Sequence, residues 1–161
     1  MVASHIMTYY IFIYGTLLPG LDLYPHMLGG TWVADARCHA HLYDLGEYPG
    51  MTRSMPGDTS CVTGKVYAVD ESHLHRLDDL EGLVPGNDEA SLYLRQRITL
   101  VDPGSLLSFE VWGYFYNGSL TGCPRIHSGD YKEYLSSKSS GLRGGDGSCR
   151  DDPFKEHIQR G

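Results

Sequence analysis

The chain predicts a mixed α+β domain, a small β-barrel or strongly curved sheet with short flanking helices. Three observations carry this expectation. About five strand-like runs are separated only by short helical segments. The 161 residues are the length of one ordinary domain, enough for one core and too few for two. The composition, 41% hydrophobic with 20 Gly and 12 Tyr, fits neither a disordered chain nor a coiled coil.

Each element has a local reason. Tyr9 to Tyr14 (YYIFIY) is apolar or aromatic at every position, the pattern of a strand buried on both faces. It runs into Gly15-Thr16-Leu17, and Pro19-Gly20 closes a turn. Residues 21–29 read as a short helix limited by Pro25 and Gly29-Gly30, followed by a strand at 32–43. That strand ends in a Gly/Pro-rich segment, Asp44 to Gly50. Val62 to Val69 alternates as a further strand. The clearest helix follows, over 71–81. Asp70 is its N-cap, Val69 and Leu74 form a hydrophobic staple, and Leu74, Leu77 and Leu80 make one apolar stripe. Gly82 is the natural residue just past its end. Two more strands are expected at 92–101 and 109–116, around Asp102-Pro103-Gly104, and Ser128 or Asp130 caps a last short helix through Leu135.

Charge and hydropathy narrow the function. Thirteen Lys+Arg against 20 Asp+Glu leave −7 at neutral pH, which argues against electrostatic binding to nucleic acid or to an anionic membrane. No run approaches the roughly 20 apolar residues of a membrane helix, and the first residues lack a secretory hydrophobic core. A cytoplasmic enzyme or binding domain is expected. Cys38, Cys61, Cys123 and Cys149 contain no C-x-x-C pair and are expected to be free thiols. The pairs His39/His41 and His73/His75 invite a metal reading. Only the first, in a strand, shares one face, and neither has a partner at a recognised zinc spacing. No metal site is expected. Residues 1–7 read as a remnant ahead of a natural start at Met7, residues 8–135 as the domain, and residues 136–161 as a polar Gly/Ser-rich tail with one short contact through Phe154 and Ile158.

Two segments carry the signs of chemistry. Asp78, Asp79 and Glu81 crowd the last turn of the helix, where the carbonyl end of the macrodipole disfavours negative charge by roughly 0.3–1 kcal/mol per group. They are either three solvated acids on a surface turn or, if Glu81 points inward, a carboxyl raised toward neutrality and suited to general acid/base work. The loop Tyr14-Gly15-Thr16-Leu17 either closes a plain tight turn or converges its N–H groups on an anion, with the Thr16 hydroxyl beside them. It is not a phosphate-binding loop of the Gly-Lys-Ser/Thr kind. Arg95 and Arg97 share the Tyr93 face of their strand, placed either to meet a carboxylate or to sit in solvent.

Five stretches occur in the order found in the γ-glutamylcyclotransferase/AIG2-like family: FIYGTLLPG (12–20), LYDLGEYPGM (42–51), GKVYAVDESHLHRLDDLEG (64–82), YLRQRITL (93–100) and SGDYKEYL (128–135). The chain resembles that family over nearly all of residues 8–135. The resemblance implies a small mixed barrel with flanking helices and a cofactor-independent enzyme that releases 5-oxoproline from a small-molecule γ-glutamyl compound. It implies Glu81, at the L-E-G position, as the catalytic acid/base. Tyr14, Gly15, Thr16 and Leu17 would bind the γ-glutamyl moiety, and Tyr116, with Tyr114 on the same strand face, would border the pocket. A non-catalytic AIG2-like binding domain is the alternative, although the presence of Glu81 argues against it. A metal-dependent hydrolase using the histidine pairs is the more distant one.

Overall fold

The computed structural model describes residues 7–139. The expectations for residues 1–6, for the tail beyond 139 and for Cys149 lie outside the described residues. Seven strands and two α-helices follow in the order β1 (Thr8–Ile13), β2 (Thr31–Asp44), β3 (Pro49–Arg53), β4 (Cys61–Asp70), α1 (Glu71–Leu80), β5 (Tyr93–Ile98), β6 (Leu100–Val101), β7 (Val111–Tyr116) and α2 (Tyr131–Ser139). The strands form one sheet in the order β3-β2-β4-β1-β7-β5, with β6 paired to β2. All pairings are antiparallel except β1 with β7.

The sheet curls because one chain segment belongs to both of its ends. β5 pairs with β7, while β6, one residue further on, pairs with Arg37 and Cys38 of β2. The run expected as a single strand over 92–101 therefore breaks at Thr99 and bridges the sheet back on itself. Inside the curl lie Phe12, Leu42, Met51, Val62, Val66, Val111 and Phe115. Ile11 and Ile13 face the other way, into a second core beneath α1 that includes Leu74, Leu77 and Tyr93. β1 is thus buried on both faces, as its sequence requires. Leu74 and Leu77 are almost fully buried, and each such burial stabilises the helix against the sheet by about 1.5–3 kcal/mol.

α1 begins as expected, with the Asp70 carboxylate accepting from the His73 amide at 2.7 Å and with both staple residues, Val69 and Leu74, in the core. α2 is capped by Asp130, which accepts from the Glu133 amide at 3.1 Å, and it continues four residues past Leu135. Its second turn is held by buried Asp44, which accepts from Tyr134 Oη (2.6 Å) and Lys138 Nζ (3.2 Å).

Three local expectations need correction. The helix expected over 21–29 is only a 3₁₀ turn, Tyr24–Met27, since Pro25 and the two glycines leave too few residues to propagate a helix. The Gly/Pro-rich segment after β2 runs into a further strand that the sequence reading did not include: β3 starts at Pro49, the first position of an edge strand, where a missing N–H costs little. Cys123 is disulfide-bonded, against the expectation of a free thiol. Cys38 and Cys61 are free.

Candidate active site

The end of α1 is set by a Schellman motif. Gly82, at φ 72°, donates its N–H to the Asp79 carbonyl at 3.1 Å, and Leu83 donates to the Asp78 carbonyl at 3.0 Å. This turn makes Glu81 the C-cap residue, and its own N–H donates to the Leu77 carbonyl at 2.9 Å. A side chain at position 82 would have to adopt the left-handed backbone that glycine accepts freely.

The three acids of this turn take three different positions. Asp79 is exposed. Asp78 is buried and held by Arg95, whose Nε donates to Oδ1 at 2.8 Å and whose Nη2 donates to Oδ2 at 3.2 Å. Tyr114 Oη also donates to Asp78 Oδ1, at 2.7 Å. Glu81 is only 7% exposed and lines a cleft. Glu81 therefore points inward, while Asp79 is the solvated acid of the three. Of the two placements for the arginines, Arg95 meets a carboxylate and Arg97 is exposed beside Glu110.

The cleft is lined by Phe12, Ile13, Tyr14, Gly15, Thr16, Leu17, Tyr48, Pro49, Glu81, Tyr93 and Tyr114. It forms where β1 runs out into the Tyr14–Leu17 loop. The carbonyls of Gly15 and Thr16 turn away into the loop, accepting from the N–H groups of Leu18 and Leu23, each at 3.0 Å. Gly15 is required by close approach. A Cβ there would come 2.6 Å from Pro49 Cγ, well inside van der Waals contact. Pro49 is held in turn by its carbonyl, which accepts from Tyr93 Oη at 2.6 Å. Tyr14 is buried, donates through Oη to the Tyr114 carbonyl at 2.7 Å, and accepts from the Met51 amide at 3.2 Å. Its side chain therefore ties β1, β3 and β7 together behind the loop.

Residues 14–17 and Glu81, singled out separately in the sequence, border one cleft. Tyr114 lines it from β7. Tyr116 is buried on the same strand, and its ring packs edge-on against Tyr93 with centroids 5.6 Å apart. The sequence reading did not anticipate Tyr48, Pro49 and Tyr93 as lining residues, or Asp78 as the anchor of the helix end. The Arg95–Asp78 pair has no signal along the chain, because the two residues meet only through tertiary contact.

Tyr114 is held firmly in its neutral form. Burial, then the Asp78 carboxylate and its hydrogen bond, then the charge of Glu81 push the phenol well above its ordinary pKa, with Arg95 opposing them. The histidine pairs are taken up elsewhere. His73 donates from Nε2 to the His26 carbonyl at 2.7 Å, while His75 is exposed. His41 pairs with Asp58 at 2.6 Å, and Cys61 Sγ lies 3.6 Å from His39 Nδ1. Among the described residues no three His, Cys, Asp or Glu side chains gather in a metal-binding group. No helix of the described residues is long and apolar enough to cross a membrane.

The chain is similar to several known proteins. A protein of Methanocaldococcus jannaschii that carries a γ-glutamylcyclotransferase name is 30% identical over 131 residues, 78% of this chain and 97% of its own length. The γ-L-glutamyl-butirosin B γ-glutamyl cyclotransferase of Niallia circulans is 28% identical over 134 residues, 82% of this chain and 81% of its own. The crystal structure of an AIG2-like protein from Mus musculus superposes with a TM-score of 0.53 at 27% identity, covering 70% of this chain and 78% of that one. The family model described as γ-glutamyl cyclotransferase, AIG2-like, matches residues 11–133, a span that includes both the loop and the helix end of the cleft. The chain belongs to the AIG2-like γ-glutamyl cyclotransferase family.

Proposed function

We propose that this protein is a γ-glutamyl cyclotransferase that cleaves a small γ-glutamyl amide, releasing 5-oxoproline and a free amine or amino acid, with Glu81 as general acid/base. The observation that carries the reading is that Glu81, set at the C-cap of α1, lines the same cleft as the Tyr14–Leu17 loop.

The substrate's α-amine is protonated at neutral pH and cannot attack while it carries that proton. Glu81 removes it. The freed amine then attacks the γ-carbonyl, forming the ring C–N bond. As the bond to the leaving nitrogen breaks, Glu81 returns the proton to the departing amine, and the second proton, shed by the ring nitrogen as it becomes an amide, is taken up by the liberated amine. The N–H groups of Gly15 and its neighbours stabilise the substrate carboxylate or the polarised carbonyl oxygen, an electrostatic contribution of about 2.7–4 kcal/mol per well-placed donor. Tyr14, Gly15, Thr16 and Leu17 hold the γ-glutamyl moiety through this loop, and Tyr114 borders the cleft from β7, with Tyr116 on the same strand packed against Tyr93 of its wall. Because the nucleophile is part of the substrate, orientation supplies much of the acceleration, and the scheme calls on no metal or cofactor.

The test is incubation with γ-glutamyl amino acids, γ-glutamylamines and glutathione, with 5-oxoproline as the readout. Release by the wild type, lost in a folded Glu81→Gln variant, is the expected result. Undiminished turnover in that variant would end the mechanism.

A further inference from the structure

The Asp78–Arg95–Tyr114 cluster adjoins the cleft, and the mechanism above does not use it. A phenol has one proton to donate and lone pairs with which to accept. The Tyr114 proton is donated to Asp78 Oδ1 at 2.7 Å, a charge-assisted bond of the stronger kind. The hydroxyl stays protonated and fixed in direction, so what it can offer to anything else nearby is a lone pair. Donation to a carboxylate also makes the phenol oxygen a better acceptor.

The surroundings favour a cation at that lone pair. Asp78 and Glu81 are three residues apart on α1, and therefore neighbours on its surface. The Tyr114 hydroxyl bonds the first and feels the charge of the second. Asp78 does not compete for a cation, since both of its oxygens are already engaged by the Arg95 fork. That fork comes from the residue directly opposite Tyr114 in the β5–β7 register and lies over the Trp112 ring at 5.0 Å. A positive group entering the cleft would thus meet the Glu81 carboxylate together with the Tyr114 oxygen.

We infer that the Tyr114 hydroxyl accepts a hydrogen bond from the substrate's α-ammonium group, and that Asp78 and Arg95 are positioning residues that hold the hydroxyl in the accepting orientation. This rests on the cyclotransferase reading and deepens it. The contact orients the nitrogen that must lose its proton to Glu81 and then attack. It also makes the cleft selective for γ-glutamyl compounds over glutaryl compounds, which lack only the α-amine.

The test uses the γ-glutamyl compound that the wild type turns over fastest and its glutaryl counterpart. Their affinities are measured by calorimetry in a Glu81→Gln background, with and without Tyr114→Phe. The added substitution is expected to weaken the γ-glutamyl compound about tenfold, the scale of one hydrogen bond to a charged group, and to leave the glutaryl compound unchanged. Asp78→Asn, which keeps the side-chain shape but no longer binds the phenol proton as a carboxylate, is expected to give a smaller loss of the same selective kind. A merely structural role would weaken both ligands together. Equal loss for both ligands, or no selective loss in either variant, overturns the inference while leaving 5-oxoproline release by the wild type intact. Failure of the wild type to release 5-oxoproline from any γ-glutamyl compound overturns the reading beneath it as well.

Discussion

The cleft at the end of β1 and the outer side of β2 both gather residues of catalytic type. On β2 and its neighbours stand His39, His41, Asp58, Ser60 and Cys61, including a His–Asp pair at 2.6 Å and a thiol 3.6 Å from an imidazole. By residue type alone this group looks more like a nucleophile and base than the cleft does. Its partners point to another role. Asp58 accepts from the Ser60 amide at 2.8 Å and from His41, and the Ser60 hydroxyl accepts from Arg125 at 2.9 Å. These contacts close the turn between β3 and β4. In the cleft, the structural duties fall on Asp78, Arg95, Tyr14 and Tyr93, while Glu81 and the Gly15 backbone border the open space. Residues of a reactive type become candidates for chemistry when other residues do the holding.

The sharpest way to break this comparison is at Glu81. Glu81→Gln should reduce the rate of 5-oxoproline release by roughly 10³-fold or more, with an unchanged circular dichroism spectrum. Next in size is the holding layer. Arg95→Ala leaves the Asp78 carboxylate buried beside Tyr114 without its cation, and should destabilise the fold by about 3–5 kcal/mol in urea titration. A loss no larger than that of an exposed ion pair would show that the helix end is anchored by other contacts. Gly15→Ala forces Pro49 and the loop apart. With a displacement of the order of 1 Å, turnover should fall about 10²-fold, and the forced contact with the Pro49 ring should cost about 1–3 kcal/mol of stability.

A smaller effect is expected with pH. Burial raises the Cys38 thiol to about 12. An acid whose folded pKa is raised keeps its proton in the folded state after the unfolded chain has lost it. The contribution is therefore fully present below the unfolded thiol pKa, near 9.0, and is lost as pH climbs from there toward 12. Denaturation midpoints measured across that window should fall, and Cys38→Ala should flatten part of the decline; a decline of the same slope in both proteins would remove Cys38 as its source. The smallest effect belongs to the outer face of β2. His41→Ala should leave turnover unchanged and cost about 1 kcal/mol, the scale of one hydrogen bond. A large loss of 5-oxoproline release there would reverse the assignment of the two regions.

Much of the architecture is legible in local patterns. The two-sided burial of β1 follows from YYIFIY, and α1 follows from Asp70, the Leu74–Leu77 stripe and Gly82. The positions proposed to carry the chemistry, Glu81 and the loop at 14–17, are also marked along the chain, one by acids where a helix end disfavours them and the other by a glycine leaving a buried strand. Contact between distant segments is what the chain does not write locally. Pro49 against Gly15 joins positions 34 residues apart, and the pairing of β6 with β2 depends on a break at one ordinary residue, Thr99.

The amino-acid sequence by itself determined the fold class and the cap and end of α1. These depend on periodicity, capping and backbone freedom, which act within a few residues. Only the tertiary structure decided which of Asp78, Asp79 and Glu81 is pinned, which is solvated and which borders the cleft. The three are alike in chemistry and nearly adjacent in the chain. What separates them is the direction each takes from the helix and whether a strand facing it carries an arginine, and neither exists until β5 and β7 are packed against α1.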